Sequence, residues 1–329
     1  MANSIAVLGA IVYDEIVTHD KRTIESYGGI IYNLAALSSL VGEDARILPH
    51  SNVGADRWDD VIGMVREMPG VDTTALRKWS GKLTHAKLVY TDANHREEYV
   101  RNMMRPFTVD ELRTAAHTDG VIINFVNGTE IDLPTMREFR RMSSGTIYLD
   151  MHNIMVRFGP DGDKSLIDFA NWPDWVAQFD LVQMNEFEAA TILKRELTTP
   201  ADFLNAAREV LRAGPRAVLV TMGPRGVAVA HRRDGEEYGV LIPAAPVKNF
   251  IDATGCGDAF STGTLWNYLQ TGDILVAAMA GALVGAINTE VRGIGRLDRA
   301  RDAADRIDEV SADLAQRVRD GWPGERFEA

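Results

Sequence analysis

The chain has 329 residues, of which 46% are hydrophobic and 25% are charged, and its 35 Lys and Arg against 47 Asp and Glu give a net charge of −12. This composition is globular, and its acidity argues against a protein that binds nucleic acid through a broad basic face. The single cysteine, Cys256, excludes an intramolecular disulfide and a cysteine-rich zinc site. A reducing, cytoplasmic location is therefore expected.

Short β-type runs, most of them followed by a segment of helical period, succeed one another along the chain. The predicted strands are Ser4–Val12, Arg46–Leu48, Val121–Phe125, Thr146–Asp150, Leu181–Met184, Ala217–Thr221 and Val227–His231. The predicted helices are Ile30–Leu40, Asp59–Met68, Val109–Ala116, Leu133–Met142, Glu186–Leu193, Ala201–Leu211, Gly257–Leu269 and Ile274–Ile287. Wholly apolar runs such as Val121-Ile122-Ile123 suit a mostly parallel sheet covered by helices on both faces. The class is therefore α/β.

Two segments, 15–27 and 75–103, interrupt this alternation. They alternate polar and apolar residues, as in Glu98-Tyr99-Val100-Arg101, which is typical of half-exposed strands. We expect them to form a small second sheet outside the main layer. Because no linker, repeat or long charge run divides the chain, residues 1–329 are predicted to be one domain with that sheet inserted.

Neither a membrane span nor a secretion signal is expected. The longest uncharged stretch, Ile274 to Asn288, is shorter than the ~18 apolar residues that a membrane helix needs. The first residues, Met1-Ala2-Asn3-Ser4, lack the basic region of a signal peptide. We interpret the uncharged stretch as a buried helix.

The segment Asp252-Ala253-Thr254-Gly255-Cys256-Gly257-Asp258-Ala259-Phe260 carries the strongest chemical signal. Gly255 and Gly257 allow close approach of a ligand, and the first N–H groups of the helix that follows can bind an anion. Asp258 would repel that anion, which makes sense if it takes the proton from an attacking hydroxyl during phosphoryl transfer. Taken alone, a Gly-x-Gly-Asp run is more often an ordinary helix cap.

This nonapeptide resembles the C-terminal signature of the ribokinase-like carbohydrate kinases, also called the phosphofructokinase B family. Three other segments resemble family motifs in the same order, namely the glycine-pair segment Tyr27 to Ala35, Asn185-Glu186-Phe187-Glu188, and Thr221 to Gly226. The resemblance extends from Gly9 to about Gly295. It implies a Rossmann-type three-layer α/β fold with a mostly parallel central sheet and a β-sheet lid. It also implies an enzyme that moves the γ-phosphoryl group of ATP to a hydroxyl of a small sugar.

The resemblance implies a role for each matched residue on the donor side. Asp258 is the general base, and Gly255, Cys256 and Gly257 form the anion hole. Mg²⁺ is held by Asn185 and Glu188 through water, because Mg²⁺ dehydrates reluctantly, and Asp252 is a ligand of a monovalent cation such as K⁺. The implied nucleotide contacts are Asn185, Thr221, Gly223, Gly226 and Asn288. Some of these residues have a plainer reading alone: Glu188 as a first-turn acid, Asp252 as a turn cap and the Gly223 to Gly226 run as a β-turn.

On the acceptor side, Asp14 follows the first strand, at the carboxyl edge where α/β sheets place ligands. Asp14 and Asn33 together suit hydrogen bonding to vicinal hydroxyls, and Gly28 and Gly29 provide a hinge and a close approach. Asp150 and Asn153 partly resemble an acceptor-side family pattern. Two departures stand out: Cys256 replaces the usual Ala, and Ile30, Ile31 and Tyr32 place bulk beside the acceptor site. Cys256 at a helix start is expected to favour its thiolate and to make the enzyme sensitive to thiol reagents.

Several alternatives stay open from the sequence. Lys87, Arg96, Arg101 and Arg105 could recognise a sugar phosphate, and Tyr13, Tyr32, Tyr90 and Tyr99 could stack on the base of a nucleoside. A non-catalytic sugar or nucleotide sensor is a third reading. A nicotinamide oxidoreductase is disfavoured because Gly9 to Asp14 holds a single glycine, and a Walker-type site because Leu83 follows Gly81-Lys82. A homodimer formed through the lid is expected, since a small one-faced sheet is marginal alone.

Overall fold

The computed structural model describes residues 4–91 and 96–328, without the side chain of Arg96. Three parts of the chain lie outside the described residues. They are residues 1–3, residues 92–95 of the second predicted lid segment, and residue 329. The strands are β1 (Ser4–Leu8), β2 (Ile11–Val17), β3 (Thr23–Gly29), β4 (Arg46–Gly54), β5 (Leu76–Trp79), β6 (Thr84–Tyr90), β7 (Arg96–Arg101), β8 (Gly120–Asn124), β9 (Thr146–Asp150), β10 (Val156–Phe158), β11 (Lys164–Leu166), β12 (Leu181–Asn185), β13 (Ala217–Thr221), β14 (Val227–Arg233), β15 (Glu236–Ile242) and β16 (Glu325–Arg326). The α-helices are α1 (Ile31–Val41), α2 (Trp58–Arg66), α3 (Leu133–Met142), α4 (Trp172–Val176), α5 (Glu186–Leu193), α6 (Pro200–Leu211), α7 (Cys256–Thr271), α8 (Ile274–Asn288) and α9 (Ala312–Arg319).

A central sheet in the order β16-β15-β14-β13-β12-β9-β8-β1-β4-β5 forms the middle layer. Neighbours from β13 to β5 run parallel, and β14, β15 and β16 extend the sheet antiparallel. Alternate residues of β1 enter opposite cores: Ile5 packs in the cluster that contains Leu34 of α1, whereas Ala6 packs in the cluster that contains Phe139 of α3. Both faces are thus covered by helices, and the predicted α/β sandwich is confirmed.

The first predicted strand, Ser4–Val12, is divided between two sheets. β1 ends at Leu8, and β2 begins at Ile11 in a different sheet. At the break, Gly9 has φ +156°, and a Cβ on it would lie 2.5 Å from the backbone oxygen of Asn124. The continuous strand was therefore a wrong prediction, because an apolar run does not reveal a change of sheet.

The lid, defined here as β2, β3, β6 and β7, is a four-stranded sheet in the order β3-β2-β6-β7. β2 and β6 are parallel, and the two outer pairs are antiparallel. The predicted lid segment 75–103 was wrong at its start, since residues 76–79 form β5 and pair with β4 at the edge of the central sheet. Leu76 is buried there, which explains why this short run joins the larger layer.

The predicted helix Val109–Ala116 is also corrected. Two 3₁₀ turns, Asp110–Leu112 and Ala115–His117, take its place. The carbonyl of Glu111, which would accept from Ala115 in an α-helix, instead accepts from the Arg77 guanidinium at 2.6 Å. The uncharged stretch from Ile274 forms α8, capped by Asp273. Within the described residues, every helix is too short or too polar to cross a membrane.

Candidate active site

A cavity of about 510 Å³ lies between the lid and the carboxyl edge of the central sheet. The lid supplies Val12, Asp14, Ile16, Gly29, Ala86, Leu88, Tyr90, Glu98 and Val100 to its lining. The end of β8 supplies Asn124, the segments after β8 and β9 supply Val126, Asn127, His152 and Asn153, and the rest are Tyr32, Asp252, Ala253, Thr254, Gly255 and Asp258. Parallel strands end together at this edge, which explains why residues distant in sequence meet here.

The start of α7 forms one wall of the cavity. Gly255 precedes the helix with φ +76°, and no side chain of the described residues caps it there. A Cβ on Gly255 would lie 2.7 Å from Cδ1 of Tyr32, so both the φ angle and the space require glycine. A Cβ on Gly257 would make only an ordinary 3.6 Å contact with Nε2 of Gln183. A helix start without a side-chain cap retains N–H donors suited to an anion.

Asp258 is held in place by two asparagines. Asn124 donates its Nδ2 to Oδ1 of Asp258 at 2.6 Å and to Oδ1 of Asn33 at 3.0 Å. Asn33 donates its own Nδ2 to the backbone oxygen of Asp258 at 3.3 Å and to Oγ of Ser261 at 3.2 Å. Asn33 is fully buried and does not appear in the cavity lining. The structure therefore places Asn33 beneath Asp258, as a support for it.

Burial raises the pKa of Asp258 well above its usual range, and the nearby carboxylate of Asp150 raises it further. The hydrogen bond from Asn124 acts in the opposite direction but does not reverse the shift. The pKa of Asp150 is raised as well, chiefly by burial. A carboxylate with a raised pKa is a stronger proton acceptor than an ordinary aspartate.

The predicted acceptor residues are only partly brought together. Asp14, Gly29 and Asn153 line the cavity, whereas Asp150 is buried at the end of β9, outside its lining. Gly28 lies beneath Asp14, because a Cβ on it would come within 2.2 Å of the Asp14 carboxylate. Gly29 has φ +64° and packs against the backbone oxygen of Ala10, which a Cβ would approach to 2.2 Å.

Asn185 and Glu188 form a capping box at the start of α5. The Glu188 carboxylate accepts from the backbone N and from Nδ2 of Asn185, at 2.8 and 2.7 Å, while Asn185 Oδ1 accepts from the N–H of Glu188. Glu188 is 6% exposed, and burial together with the charge of Asp150 raises its pKa to about 8. Glu188 therefore caps α5, and the charge of its carboxylate interacts with that of a second acid, Asp150.

The predicted nucleotide loop lies at the ends of β13 and β14. Thr221 pairs with Asn185 in the sheet register. Gly223 has φ +53° with open space where a Cβ would be, and Gly226 has φ +92° with the backbone oxygen of Ile242 only 2.0 Å from that position. Packing therefore requires glycine at position 226, whereas at position 223 only the positive φ angle favours glycine.

Asp252 and Asn288 shape the loop before α7. Oδ1 of Asp252 accepts from the backbone N and from Oγ1 of Thr254, at 2.9 and 2.8 Å, and Nδ2 of Asn288 donates to the Thr254 backbone oxygen at 2.9 Å. Cys256 corrects an expectation. Burial and the carboxylate of Asp258 raise the pKa of its thiol, so the thiolate is disfavoured at this helix start.

Comparison with known proteins adds to this geometry. Residues 151–299 match the family described as pfkB family carbohydrate kinase. A deoxyribokinase of Salmonella typhi is 24% identical over 302 residues, which are 88% of this chain and 93% of the relative. Residues 151–299 therefore carry a pfkB family carbohydrate kinase domain, and the relatives support a carbohydrate kinase.

Solved structures of kinases described as ribokinases or as members of the ribokinase family share the fold of this chain. A pyrophosphate-dependent kinase in the ribokinase family matches with a TM-score of 0.74 and 20% identity, covering 91% of this chain and 99% of the other. An Arabidopsis thaliana ribokinase complexed with ribose and ATP matches with a TM-score of 0.71 and 15% identity, covering 93% and 99%. At these identities the likeness concerns the fold.

Three of the basic residues in or beside the lid pair with groups outside the cavity lining. Lys87 pairs with Glu15 at 2.7 Å, Arg101 donates to the backbone oxygen of Asp161, and Arg105 pairs with Glu111. Among the described residues, the cavity lining contains no Lys or Arg, and its charged members are Asp14, Glu98, Asp252 and Asp258. The cavity of this kinase is therefore negatively charged.

Sequence reasoning missed several residues of this carbohydrate kinase site. Asn124 ends β8 at the carboxyl edge of the central sheet, so the positional rule applied to Asp14 fits Asn124 better than Asp14 itself, which lies inside β2 of the lid. Asn127 and His152 lie in irregular segments, where no periodic pattern marked them. Gln183, inside β12, donates to the backbone oxygen of Gly257 at 3.2 Å and so supports the start of α7 from below.

Proposed function

We propose that this kinase transfers the γ-phosphoryl group of ATP to a hydroxyl of a small, uncharged sugar bound in the cavity. The observation that carries the proposal is Asp258, a carboxylate of raised pKa on the cavity wall, in the first turn of a helix whose start has no side-chain cap. A base and an anion site in one helical turn are what in-line phosphoryl transfer requires.

In this proposal Asp258 accepts the proton of the attacking hydroxyl. Asn124 orients the carboxylate through its bond to Oδ1, and Asn33 and Ser261 hold the backbone of the same residue. The N–H groups of the Gly255 to Gly257 loop and of the first turn bind the transferred phosphoryl group. Thr221, Gly223, Gly226 and Asn288 are the proposed contacts to the nucleotide.

Asn185 and Glu188 fit a Mg²⁺ site in which the ion is bound through water. Glu188 and Asp150 are buried acids that repel one another, and a nearby cation would relieve that repulsion. Within residues 4–91 and 96–328, no three His, Cys, Asp or Glu side chains are close enough to hold a metal ion directly. When bound, Mg²⁺ would neutralise charge on the donor phosphates. We also propose Asp252 as the K⁺ ligand.

The charge of the cavity selects among acceptors. Its lining carries four carboxylates, of which Glu98 pairs with Lys164 at 3.0 Å, and, among the described residues, no Lys or Arg. A sugar phosphate would meet these carboxylates without a Lys or Arg of the lining to bind it, which is unfavourable in a partly enclosed site. We therefore favour an unphosphorylated acceptor.

A nucleoside is the second candidate acceptor, and the apolar and aromatic residues of the cavity lining favour it. Tyr32 and Tyr90 line the cavity together with Val12, Ile16 and Leu88 of the lid. Such a surface would accommodate the base of a nucleoside, while the polar residues of the lining would bind its ribose.

The test is a coupled assay of the purified protein with Mg²⁺, with and without K⁺, using ATP or pyrophosphate as donor. The acceptors are D-ribose, 2-deoxy-D-ribose, ribose 5-phosphate and cytidine. Asp258→Asn should lower kcat about 10²- to 10⁴-fold while ATP affinity is kept, and the exposed Asp44→Asn should change neither. Near-normal kcat in Asp258→Asn would refute the base. Turnover with pyrophosphate alone would overturn the donor, and acceptor binding without turnover would support a sensor.

A further inference from the structure

Two carboxamides at the cavity carry buried polar atoms that lack a hydrogen-bond partner. Asn124 is 2% exposed and Asn127 is fully buried, and both line the cavity. Asn124 uses its Nδ2 for Asp258 and Asn33, but within the described residues its Oδ1 has no partner, and neither Oδ1 nor Nδ2 of Asn127 has one. Buried polar groups are normally hydrogen-bonded, so these three atoms need an explanation.

The segment that presents Asn127 is fixed from three directions. The Glu130 carboxylate accepts from the backbone N–H of Asn127 and, at 3.0 Å, from that of Thr129. Asn153 donates its Nδ2 to the Val126 backbone oxygen at 2.8 Å, and Arg157 donates to the Gly128 backbone oxygen at 2.9 Å. The backbone of this segment is thus held by side chains, while the one carboxamide that it brings to the cavity is left unpaired.

A fixed frame around an unpaired group is what a recognition site needs, because a rigid frame lowers the entropy lost when a ligand binds. A carboxamide offers one acceptor and two donors, which match a hydroxyl or a pair of neighbouring hydroxyls. Asn124 Oδ1 is an acceptor on the same residue that holds Asp258, so it is next to the base.

We propose that Asn127 is a specificity-determining residue that binds a second hydroxyl of the acceptor, and that Asn124 Oδ1 accepts from a hydroxyl beside the one that is phosphorylated. The substrate class is therefore a neutral ring with hydroxyls next to the reacting one. This inference rests on the proposed function, since it concerns the same cavity.

The test compares acceptors that differ by one hydroxyl, D-ribose with 2-deoxy-D-ribose and cytidine with 2′-deoxycytidine, in the wild type and in Asn127→Leu. We expect the wild type to prefer the hydroxylated member of the better pair by about 10- to 100-fold in kcat/KM, the range for leaving a buried polar group unpaired. Asn127→Leu should lose that preference, because its kcat/KM should fall more for the hydroxylated acceptor than for the deoxy acceptor. Full preference in the variant, or an equal loss on both acceptors, would overturn the inference.

Thermal unfolding shows whether the variants fold, and it tests the same inference independently of enzyme activity. Leu replaces Asn127 at similar size and removes two unpaired polar atoms, so its Tm should equal or exceed that of the wild type. The matched control is Asn153→Leu, which breaks the 2.8 Å bond to Val126 and should lower the Tm by about 2–4 °C. A lower Tm for Asn127→Leu than for Asn153→Leu would contradict the absence of a partner.

Isothermal calorimetry with the same acceptors separates this inference from the proposed function. If no acceptor is phosphorylated by the wild type, the proposed function fails, and the binding constants still test Asn127. A preference for the hydroxylated acceptor that disappears in Asn127→Leu would uphold the inference. Equal binding of the paired acceptors by the wild type would reject it.

Discussion

Glu130 provides a quantitative test of how buried acids control the stability of this kinase. Its side chain is fully buried, and burial raises its pKa from the usual 4.5 to about 7. The hydrogen bonds that its carboxylate accepts from backbone N–H groups lower the pKa but do not reverse this shift. In this range the folded state holds a proton that the unfolded state has released, so the free energy of unfolding falls as the pH rises through that interval. Between pH 5 and pH 8 the Glu130 contribution should fall by roughly 2–3 kcal/mol.

The perturbation is Glu130→Gln, which keeps the size of the side chain and removes its titration. Other buried acids act in the same direction, so the measured quantity is the difference in pH dependence between variant and wild type. Urea unfolding at pH 5 and pH 8 supplies the free energies. The variant should lose roughly 2–3 kcal/mol less than the wild type over this range, and the exposed Glu43→Gln should lose as much as the wild type. A variant whose loss matches that of the wild type would refute the reasoning.

Three further predictions follow from the site and the lid. Gly255→Ala should reduce kcat/KM at least about tenfold, because the backbone angle of Gly255 and the Tyr32 ring exclude a Cβ; steady-state kinetics measures this. Gly257→Ala should keep the wild-type Tm, because a Cβ there makes only an ordinary contact; thermal unfolding measures this. Because burial and Asp258 raise the pKa of the Cys256 thiol, iodoacetamide at pH 7 should label the native protein more slowly than the urea-unfolded chain, and equal rates would contradict this. Light scattering should detect a dimer formed through the lid; a monomer at every concentration would remove that proposal.

The sequence determined those parts of the fold that depend on local pattern. Helices α3 and α5 and strands β9 and β13 have the predicted boundaries, because apolar periodicity and caps act over a few residues. The glycines of the motif before α7 likewise predicted a turn that other residues avoid, and Gly255 adopts the left-handed conformation that glycine permits. The fold class followed from these local signals, and the resemblance to a family followed from the motifs.

Only the tertiary structure decided how distant residues divide their roles. Asn33 looked like an acceptor contact and lies buried beneath Asp258, and Asp150, distant in sequence from Asp258, raises its pKa. Cys256 was expected to ionise easily, but burial and a neighbouring carboxylate oppose the effect of the helix start. The unpaired carboxamide of Asn127 has no sequence signature. Desolvation and through-space charge depend on which segments pack together, and a linear pattern does not contain that information.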